Sequence, residues 1–160
     1  MPETPSTSPP DDAPAELSML LDDQLCFGLY SASRAVTGMY RRLLGPLELT
    51  YPQYLAMLVL WDRGTLPVGA LGEALDLDYG TLSPLLKRLE ARGVVRRERR
   101  ADDERSVLVA LTDEGEALRE RARRVPTEMG RAMGLDAAEL AVTRRTLERL
   151  TRSVVAATAA

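Results

Sequence analysis

The sequence contains no histidine and a single cysteine, Cys26, in 160 residues. Without histidine, the common zinc sites and every Ser-His or Cys-His catalytic pair are excluded. One cysteine also cannot form a disulfide within the chain. A lone cysteine in a reducing compartment is usually a small, inert hydrophobic residue, so Cys26 starts as a packing residue. We expect no metal ion and no cofactor.

Long apolar runs are missing as well. No stretch reaches the roughly 20 uninterrupted apolar residues needed to span a bilayer. The N-terminus lacks the basic start and the apolar centre of a secretory signal. We therefore expect a cytoplasmic protein without a membrane partner. Aromatic residues make up only 4% of the chain and charged residues 28%. Together with the Ala-, Leu-, Arg- and Glu-rich runs, this composition predicts a mainly helical protein of one domain.

Acidic residues slightly outnumber basic ones, 24 to 21, so the formal net charge is −3. Its distribution is nevertheless uneven. From Met1 to Gln24 every charged side chain is acidic. Between Lys87 and Arg100, seven basic side chains stand against two acidic ones, which gives a local charge of +5. An uneven distribution of this kind leaves an anionic partner open despite the acidic total.

Residues 1–14 are rich in proline, serine and acidic residues, and we expect them to be disordered. Beyond them, apolar residues spaced by three and four predict a first helix over residues 15–44. Thr50 is a good N-cap for a second helix that reaches about Asp62. The sequence thus opens with two helices.

The hydrophobic period changes in the next segment. Short helices are predicted over residues 67–75 and 78–91, and alternating apolar residues then predict two strands over 94–98 and 107–111. Two short helices followed by a hairpin form the winged version of the helix-turn-helix. The fold class is therefore mainly α with a small β-hairpin wing.

Two further helices are predicted after the hairpin. Thr112 caps the first of them, which continues to roughly Met133 with a bend at Pro126. Asp136 opens the last helix, which reaches about Val155. No repeat and no linker large enough to separate two domains is present.

The second short helix has the residues that a DNA-reading helix needs. Small or polar side chains at its N-terminal end allow approach to base edges, and cations farther along meet phosphates. Arg100 and Arg105 would project from the hairpin tip towards a narrow minor groove, which attracts arginine. The remaining candidate DNA-binding residues are Thr81, Ser83, Pro84, Lys87, Arg88 and Arg92.

An ordinary solvated surface is the alternative explanation for these arginines. The element order, the local charge and the hairpin together favour duplex DNA. Contacts from Lys and Arg to phosphates imply an affinity that falls steeply with salt.

The segment 101–112 (ADDERSVLVALT) resembles the wing signature of the MarR family of transcriptional regulators. The resemblance extends over about residues 17–155. It implies that Arg105 enters the minor groove and that Asp103 positions it. It also implies a homodimer that places two winged units in successive major grooves of a pseudo-palindromic operator.

The same resemblance implies a division of labour along the chain. Residues 15–160 form one MarR-like domain. Within it, residues 15–50 and 112–160 supply the dimerisation helices, and residues 51–111 supply the winged helix-turn-helix.

Three further segments resemble one branch of that family, the organic-hydroperoxide regulators called OhrR. They are residues 23–30 (DQLCFGLY), residues 49–55 (LTYPQYL) and residues 77–88 (LDYGTLSPLLKR), the last of which resembles the recognition helix. The resemblance implies a repressor, and not an enzyme, that releases its operator when an organic hydroperoxide oxidises a cysteine.

Four residues carry this resemblance at the predicted sensor. It implies that Cys26 is the sensor, that Tyr40 and Tyr51 donate hydrogen bonds to it, and that Tyr30 lines its pocket. Some members of the branch have a resolving cysteine, which this chain lacks. The chain therefore matches the one-cysteine type.

Helix geometry constrains how these residues can meet. Cys26 and Tyr30 are four residues apart and are neighbours on one helix. Cys26 and Tyr40 are fourteen residues apart, which is about 21 Å along a helix at 1.5 Å per residue. They cannot touch within one chain. Any contact between them must come from the other subunit of a two-fold dimer.

The predicted chemistry begins with a thiolate, which a peroxide oxidises to a sulfenic acid. Without a second cysteine, the sulfenic acid forms a mixed disulfide with a low-molecular-weight thiol or is overoxidised irreversibly.

Three other functions stay open at this stage. The first is a MarR-type repressor released by a small aromatic ligand, with Cys26 a bystander. The second is a thiol peroxidase that uses Cys26. The third is a helical adaptor that does not bind DNA. The alternative for Cys26, Tyr30, Tyr40 and Tyr51 is that they are packing residues in a helical interface.

Overall fold

A computed structural model describes residues 19–99 and 107–159. The chain divides into two compact units, one ending at Val36 and the other beginning at Thr37. The predicted tail, 1–14, lies outside the described residues, as do Arg100, Asp103 and Arg105.

The first helix begins later than the hydrophobic spacing predicts. A 3-10 turn at Leu21–Asp23 comes first, and the first α-helix, α1, spans Leu25–Leu44. Between them Gln24 is extended, with φ −81° and ψ 109°, so the predicted helix is wrong for residues 19–24. Aspartate competes for the backbone with its own side chain, and two adjacent aspartates, Asp22 and Asp23, explain the interruption.

The next three helices agree with the sequence prediction. Thr50 caps α2 by a reciprocal pair of hydrogen bonds with Gln53, and Asp78 caps α4 by accepting from the Thr81 N–H at 2.8 Å. The apolar face of α4 is buried at Leu82, Leu85, Leu86 and Leu89, whose spacing by three and four is typical of a helix that packs on a core. The bounds are Tyr51–Arg63 for α2, Val68–Leu75 for α3 and Tyr79–Ala91 for α4.

The predicted hairpin is part of a three-stranded antiparallel sheet. The strands are β1 (Leu66–Pro67), β2 (Val95–Arg99) and β3 (Val107–Leu111), in the order β1-β3-β2. The two predicted strands are confirmed. The extra strand, β1, pairs Leu66 with Val109. It has only two residues, too few to show an alternating pattern.

The helix predicted over 112–133 is two helices. Helix α5 spans Asp113–Ala122, and α6 spans Arg124–Met133. Pro126 lacks an N–H, and its ring would clash with the carbonyl of Ala122, four residues earlier, if one helix continued. The break at Arg123 instead places Pro126 in the first turn of α6, where proline is tolerated.

The last helix, α7, spans Ala137–Thr158 and begins at the predicted cap, Asp136. Glu139 completes a capping box with it. None of the residues of α7 is buried. No helix in residues 19–99 and 107–159 is long and apolar enough to cross a membrane.

The core of the second unit joins α2, the sheet and the start of α5 at one point. The indole Nε1 of Trp61 donates to the Gly115 carbonyl at 2.9 Å in a buried hydrogen bond. The Thr112 N–H donates to the Val94 carbonyl at 3.2 Å. A Cβ built on Gly115 would lie 2.0 Å from that same Val94 oxygen. Gly115 therefore permits α5 to pack directly against the backbone that enters β2.

This contact predicts that Gly115→Ala destabilises the fold by about 2–4 kcal/mol, because backbone has to shift to admit the methyl group. Chemical denaturation in urea measures the change. Gly130→Ala is the matched control, since nothing lies within 4 Å of a Cβ there and Gly130 is inside α6. The control should be neutral or more stable by up to about 1 kcal/mol. Equal stability of the two variants would contradict the close approach.

Candidate nucleic-acid interface and redox site

The solvent side of α4 presents most of the predicted DNA-binding residues. Thr81, Pro84, Lys87 and Arg88 are exposed, and Ser83 is half-buried. They project away from the leucine face that seats the helix on the core. The structure therefore gathers five of the predicted residues on one accessible helix.

Asp78 determines what Thr81 can offer to a base. Its carboxylate accepts from the Thr81 N–H at 2.8 Å and from the Thr81 hydroxyl at 3.1 Å. These bonds lower the pKa of Asp78 below its ordinary value, the backbone bond being the largest cause. The hydroxyl proton of Thr81 is committed to the cap, so its oxygen is available to accept a hydrogen bond.

Several arginines of the basic run are used within the fold. Arg97 Nε donates to Glu90 at 2.9 Å, and this bond lowers the pKa of Glu90 and raises that of Arg97. Arg96 pairs with Glu98 and donates to the Leu111 carbonyl at 2.6 Å. These pairs hold β2 to its neighbours. The local charge of +5 therefore overstates what the described residues offer to phosphates.

Arg92 has a different environment from its neighbours on α4. Its guanidinium donates to the Glu48 carbonyl at 2.9 Å and lies 3.7 Å from the Glu48 carboxylate. Its side chain is only 21% exposed. The sequence predicts a phosphate contact at Arg92, whereas the structure directs it to the turn between α1 and α2.

An aromatic cluster lies where α1 ends and α2 begins. The Tyr40 and Tyr51 rings are stacked with centroids 4.2 Å apart, so two of the predicted sensor tyrosines are brought together. Tyr54 lies 6.0 Å from Tyr40 and 6.3 Å from Trp61, edge-on to the indole. The sequence prediction did not include Tyr54 in the site. Its seven-residue spacing from Trp61 on one helix is the signal that could have indicated it.

Burial keeps the phenols of Tyr40 and Tyr54 protonated. Burial raises the pKa of Tyr40, helped by the neighbouring Tyr51, and burial raises the pKa of Tyr54 to about 12. A neutral phenol remains a hydrogen-bond donor. These tyrosines can therefore donate to an anion at any physiological pH.

The first unit presents Cys26 and Tyr30 on α1. The Cys26 thiol is exposed, and Tyr30 is 58% exposed. The guanidinium carbon of Arg34 lies 5.5 Å from the centre of the Tyr30 ring. The thiol is thus reachable by solutes and has aromatic and cationic residues on the following turns of its own helix. In the described parts of the chain, no group of three or more acidic or cysteine residues is placed to hold a metal ion.

The raised pKa of Tyr54 predicts how stability depends on pH. Its folded pKa is about 12 against an ordinary value of 10.0, so the folded state keeps a proton that the unfolded state loses. This contribution is fully present below pH 10 and is lost as the pH rises towards 12, by about 2 kcal/mol. Urea unfolding at pH 9 and pH 11.5 should show a smaller loss for Tyr54→Phe than for the wild type. An identical loss in both proteins would contradict this assignment.

Comparison with known proteins agrees with the fold and with the winged unit. The model of the MarR family matches residues 49–107. The organic hydroperoxide resistance transcriptional regulator of Bacillus subtilis is 51% identical over 117 residues, which are 73% of this chain and 78% of that protein.

Two solved structures agree in the same way. Reduced AbfR of Staphylococcus epidermidis bound to DNA is 34% identical with a TM-score of 0.73, and overoxidised AbfR bound to DNA is also 34% identical with a TM-score of 0.70. Each covers 84% of this chain and 94% of the AbfR chain. The chain contains a winged unit with a basic helix, and its relative from Bacillus subtilis is 51% identical. The chain therefore belongs to the MarR family.

Proposed function

We propose that this chain is a homodimeric, cytoplasmic transcriptional repressor that binds operator DNA when reduced and releases it after an organic hydroperoxide oxidises Cys26. The observation that carries the proposal is the exposed thiol of Cys26 on α1 in a chain with 51% identity to an organic hydroperoxide resistance regulator. The wing residues Asp103 and Arg105 complete the proposed DNA contacts.

The surface of α4 supports the DNA-binding half of the proposal. Lys87 and Arg88 are exposed and follow directly after the small residues that would meet base edges. AbfR, a structural neighbour, is bound to DNA in two of its structures. A dimer of this chain would place two copies of α4 on half-sites about one helical turn apart.

Exposed apolar side chains support the homodimer. In the first unit, Leu25 is 67% exposed and Phe27 40% exposed. In the second unit, α7 exposes Val142, Val154 and Val155 by more than half. Large apolar side chains at this exposure are typical of surfaces that another chain covers. A second copy of this chain is the proposed cover, with residues 15–50 and 112–160 as the dimerisation segments.

The proposed chemistry balances with one peroxide and one thiol. The Cys26 thiolate attacks an oxygen of the peroxide, the O–O bond breaks, and the alkoxide takes a proton to leave as an alcohol. Sulfur becomes a sulfenic acid. A low-molecular-weight thiol then displaces water and forms a mixed disulfide. With no second cysteine in the chain, further peroxide instead oxidises the sulfenic acid irreversibly.

One groove favours the alternative of a small aromatic ligand. It has a volume of about 280 Å³ and is lined by Tyr54, Leu58, Trp61, Arg119 and Arg123 among others. The apolar wall and Arg119 suit an aromatic carboxylate, whereas Asp62 also lines the groove and Arg123 is paired with Glu120 at 3.1 Å. If binding of such a ligand caused the release of operator DNA, the response would not depend on Cys26. The thiol-peroxidase and adaptor alternatives are disfavoured, because the relatives are named as transcriptional regulators.

The first test replaces the sulfur. Cys26→Ser should bind operator DNA as the wild type does but should stay bound after treatment with tert-butyl hydroperoxide, because serine cannot be oxidised. Fluorescence anisotropy of a labelled operator measures both properties. Undiminished release of DNA by Cys26→Ser would overturn Cys26 as the peroxide sensor.

The second test asks whether Tyr40 acts on the cysteine of the other subunit. In a heterodimer of the wild-type chain with a Cys26→Ser, Tyr40→Phe chain, the one cysteine faces phenylalanine across the interface. We expect its oxidation to be about tenfold slower, since one charge-assisted hydrogen bond to the thiolate is removed.

The control heterodimer carries the same substitutions on different chains, Cys26→Ser on one and Tyr40→Phe on the other. Its one cysteine still faces an intact Tyr40 and should react at the wild-type rate. Thiol consumption with time under peroxide measures both. Equal rates for the two heterodimers would contradict a site shared between subunits.

A further inference from the structure

Arg92 differs from the other cations of α4 in what it touches. Lys87 and Arg88 are exposed, whereas the Arg92 side chain is 21% exposed and extends from the C-terminal end of α4 to a residue 44 positions earlier. Its partners are the carbonyl and the carboxylate of Glu48. A guanidinium that donates to a backbone carbonyl in this way has fewer donors left for a phosphate.

Glu48 lies in the turn that joins α1 to α2. Its backbone is in the left-handed region, with φ 51° and ψ 37°, which is uncommon for a residue other than glycine, asparagine or aspartate. The turn is closed by the Glu48 N–H donating to Gly45 at 2.9 Å and by the Leu49 N–H donating to Leu44 at 3.3 Å. Arg92 stabilises this turn from outside by holding the carbonyl of its left-handed residue.

A second arginine holds the other side of the same turn. Arg121 of α5 donates to the Pro46 carbonyl at 3.0 Å. The turn is therefore fixed to α4 by one arginine and to α5 by another. Tyr51, the first residue of α2, follows Glu48 by three residues and stacks on Tyr40. Tyr51 is thus three residues along the chain from the carbonyl that Arg92 holds.

We propose that Arg92 is a positioning residue, which holds the α1–α2 turn against the C-terminal end of α4 and so transmits a displacement of Tyr51 to the DNA-reading helix. The inference rests on the proposed function, in which Tyr51 donates to the oxidisable sulfur. It also changes the role of Arg92 from a phosphate contact to a mechanical link.

The test compares Arg92→Gln with Arg88→Gln, which removes one positive charge from the same helix. Operator affinity of the reduced proteins is measured from 50 to 200 mM salt by fluorescence anisotropy. Arg88→Gln should lower the slope of log affinity against log salt by about 0.9 for each phosphate that the protein no longer neutralises. Arg92→Gln should keep the wild-type slope, because Arg92 neutralises no phosphate. A slope lowered as in Arg88→Gln would overturn the proposal.

A second measurement does not depend on DNA or peroxide. Hydrogen exchange followed by mass spectrometry reports opening of the turn through the amides of Glu48 and Leu49. Arg92→Gln should speed their exchange about tenfold, and Arg88→Gln should leave it unchanged. Arg92→Lys keeps the charge but lacks the planar fork, so it should also speed exchange while retaining the salt slope. Exchange at the wild-type rate in both Arg92 variants would overturn the proposal.

The peroxide response completes the test. At equal oxidation of Cys26, as measured by intact mass, Arg92→Gln should release a smaller fraction of operator than the wild type does. Equal release would show that the turn is held but transmits nothing, which overturns the coupling. If the wild type itself does not respond to peroxide, the proposed function fails, and the exchange and salt measurements still decide whether Arg92 holds the turn.

Discussion

The close approach of α5 to the backbone entering β2 is the constraint on which the winged unit depends. It exists because Gly115 has no side chain where the Val94 carbonyl lies, and it is secured by the indole hydrogen bond from Trp61. Through these two contacts the second helix, the sheet and the fifth helix share one buried point. A buried hydrogen bond of this kind is costly to leave unmade, so the three elements keep one relative arrangement. This fixed arrangement of α2, the sheet and α5 positions the exposed face of α4.

Ion pairs, as much as residue composition, determine which charged side chains of this protein stay exposed. The chain is acidic overall, yet eight of its 21 basic residues lie between Lys87 and Arg105. Within that basic region, Glu90 pairs with Arg97 and fixes β2 to α4, and Glu98 pairs with Arg96 within β2. Among the described residues of that region, Lys87 and Arg88 on α4 and Arg99 on β2 remain exposed to an anionic partner. This reduces non-specific attraction to nucleic acid while leaving the positions that can follow a groove.

Most of the fold could be predicted from local sequence features such as helix caps and apolar spacing. The caps at Thr50, Thr112 and Asp136 and the leucine face of α4 follow from spacing and from residue type, and the structure confirms them. The features that the sequence did not predict have physical reasons. Strand β1 exists only because β3 offers it an edge, and the break at Arg123 reflects the steric reach of Pro126 back to Ala122.

The candidate site was less predictable from the sequence than the fold. The resemblance indicated Cys26 and three tyrosines, and the stacking of Tyr40 on Tyr51 agrees with two of them lying together. The partner of Arg92 could not be inferred from spacing, because Glu48 is 44 residues away and meets it only through the tertiary fold. For Tyr54, the seven-residue spacing from Trp61 is the one sequence signal, and its ring contacts show that it belongs to the aromatic cluster.

Trp61 gives the protein an internal optical probe. It is the only tryptophan in the chain, it is 8% exposed, and its ring meets Tyr54 edge-on while its N–H holds Gly115. Indole emission shifts to longer wavelength as water approaches and falls when quenching groups move closer. The fluorescence of this one residue therefore reports directly on the contact between the aromatic cluster and the winged unit, without any label. A change at this contact can therefore be followed in time.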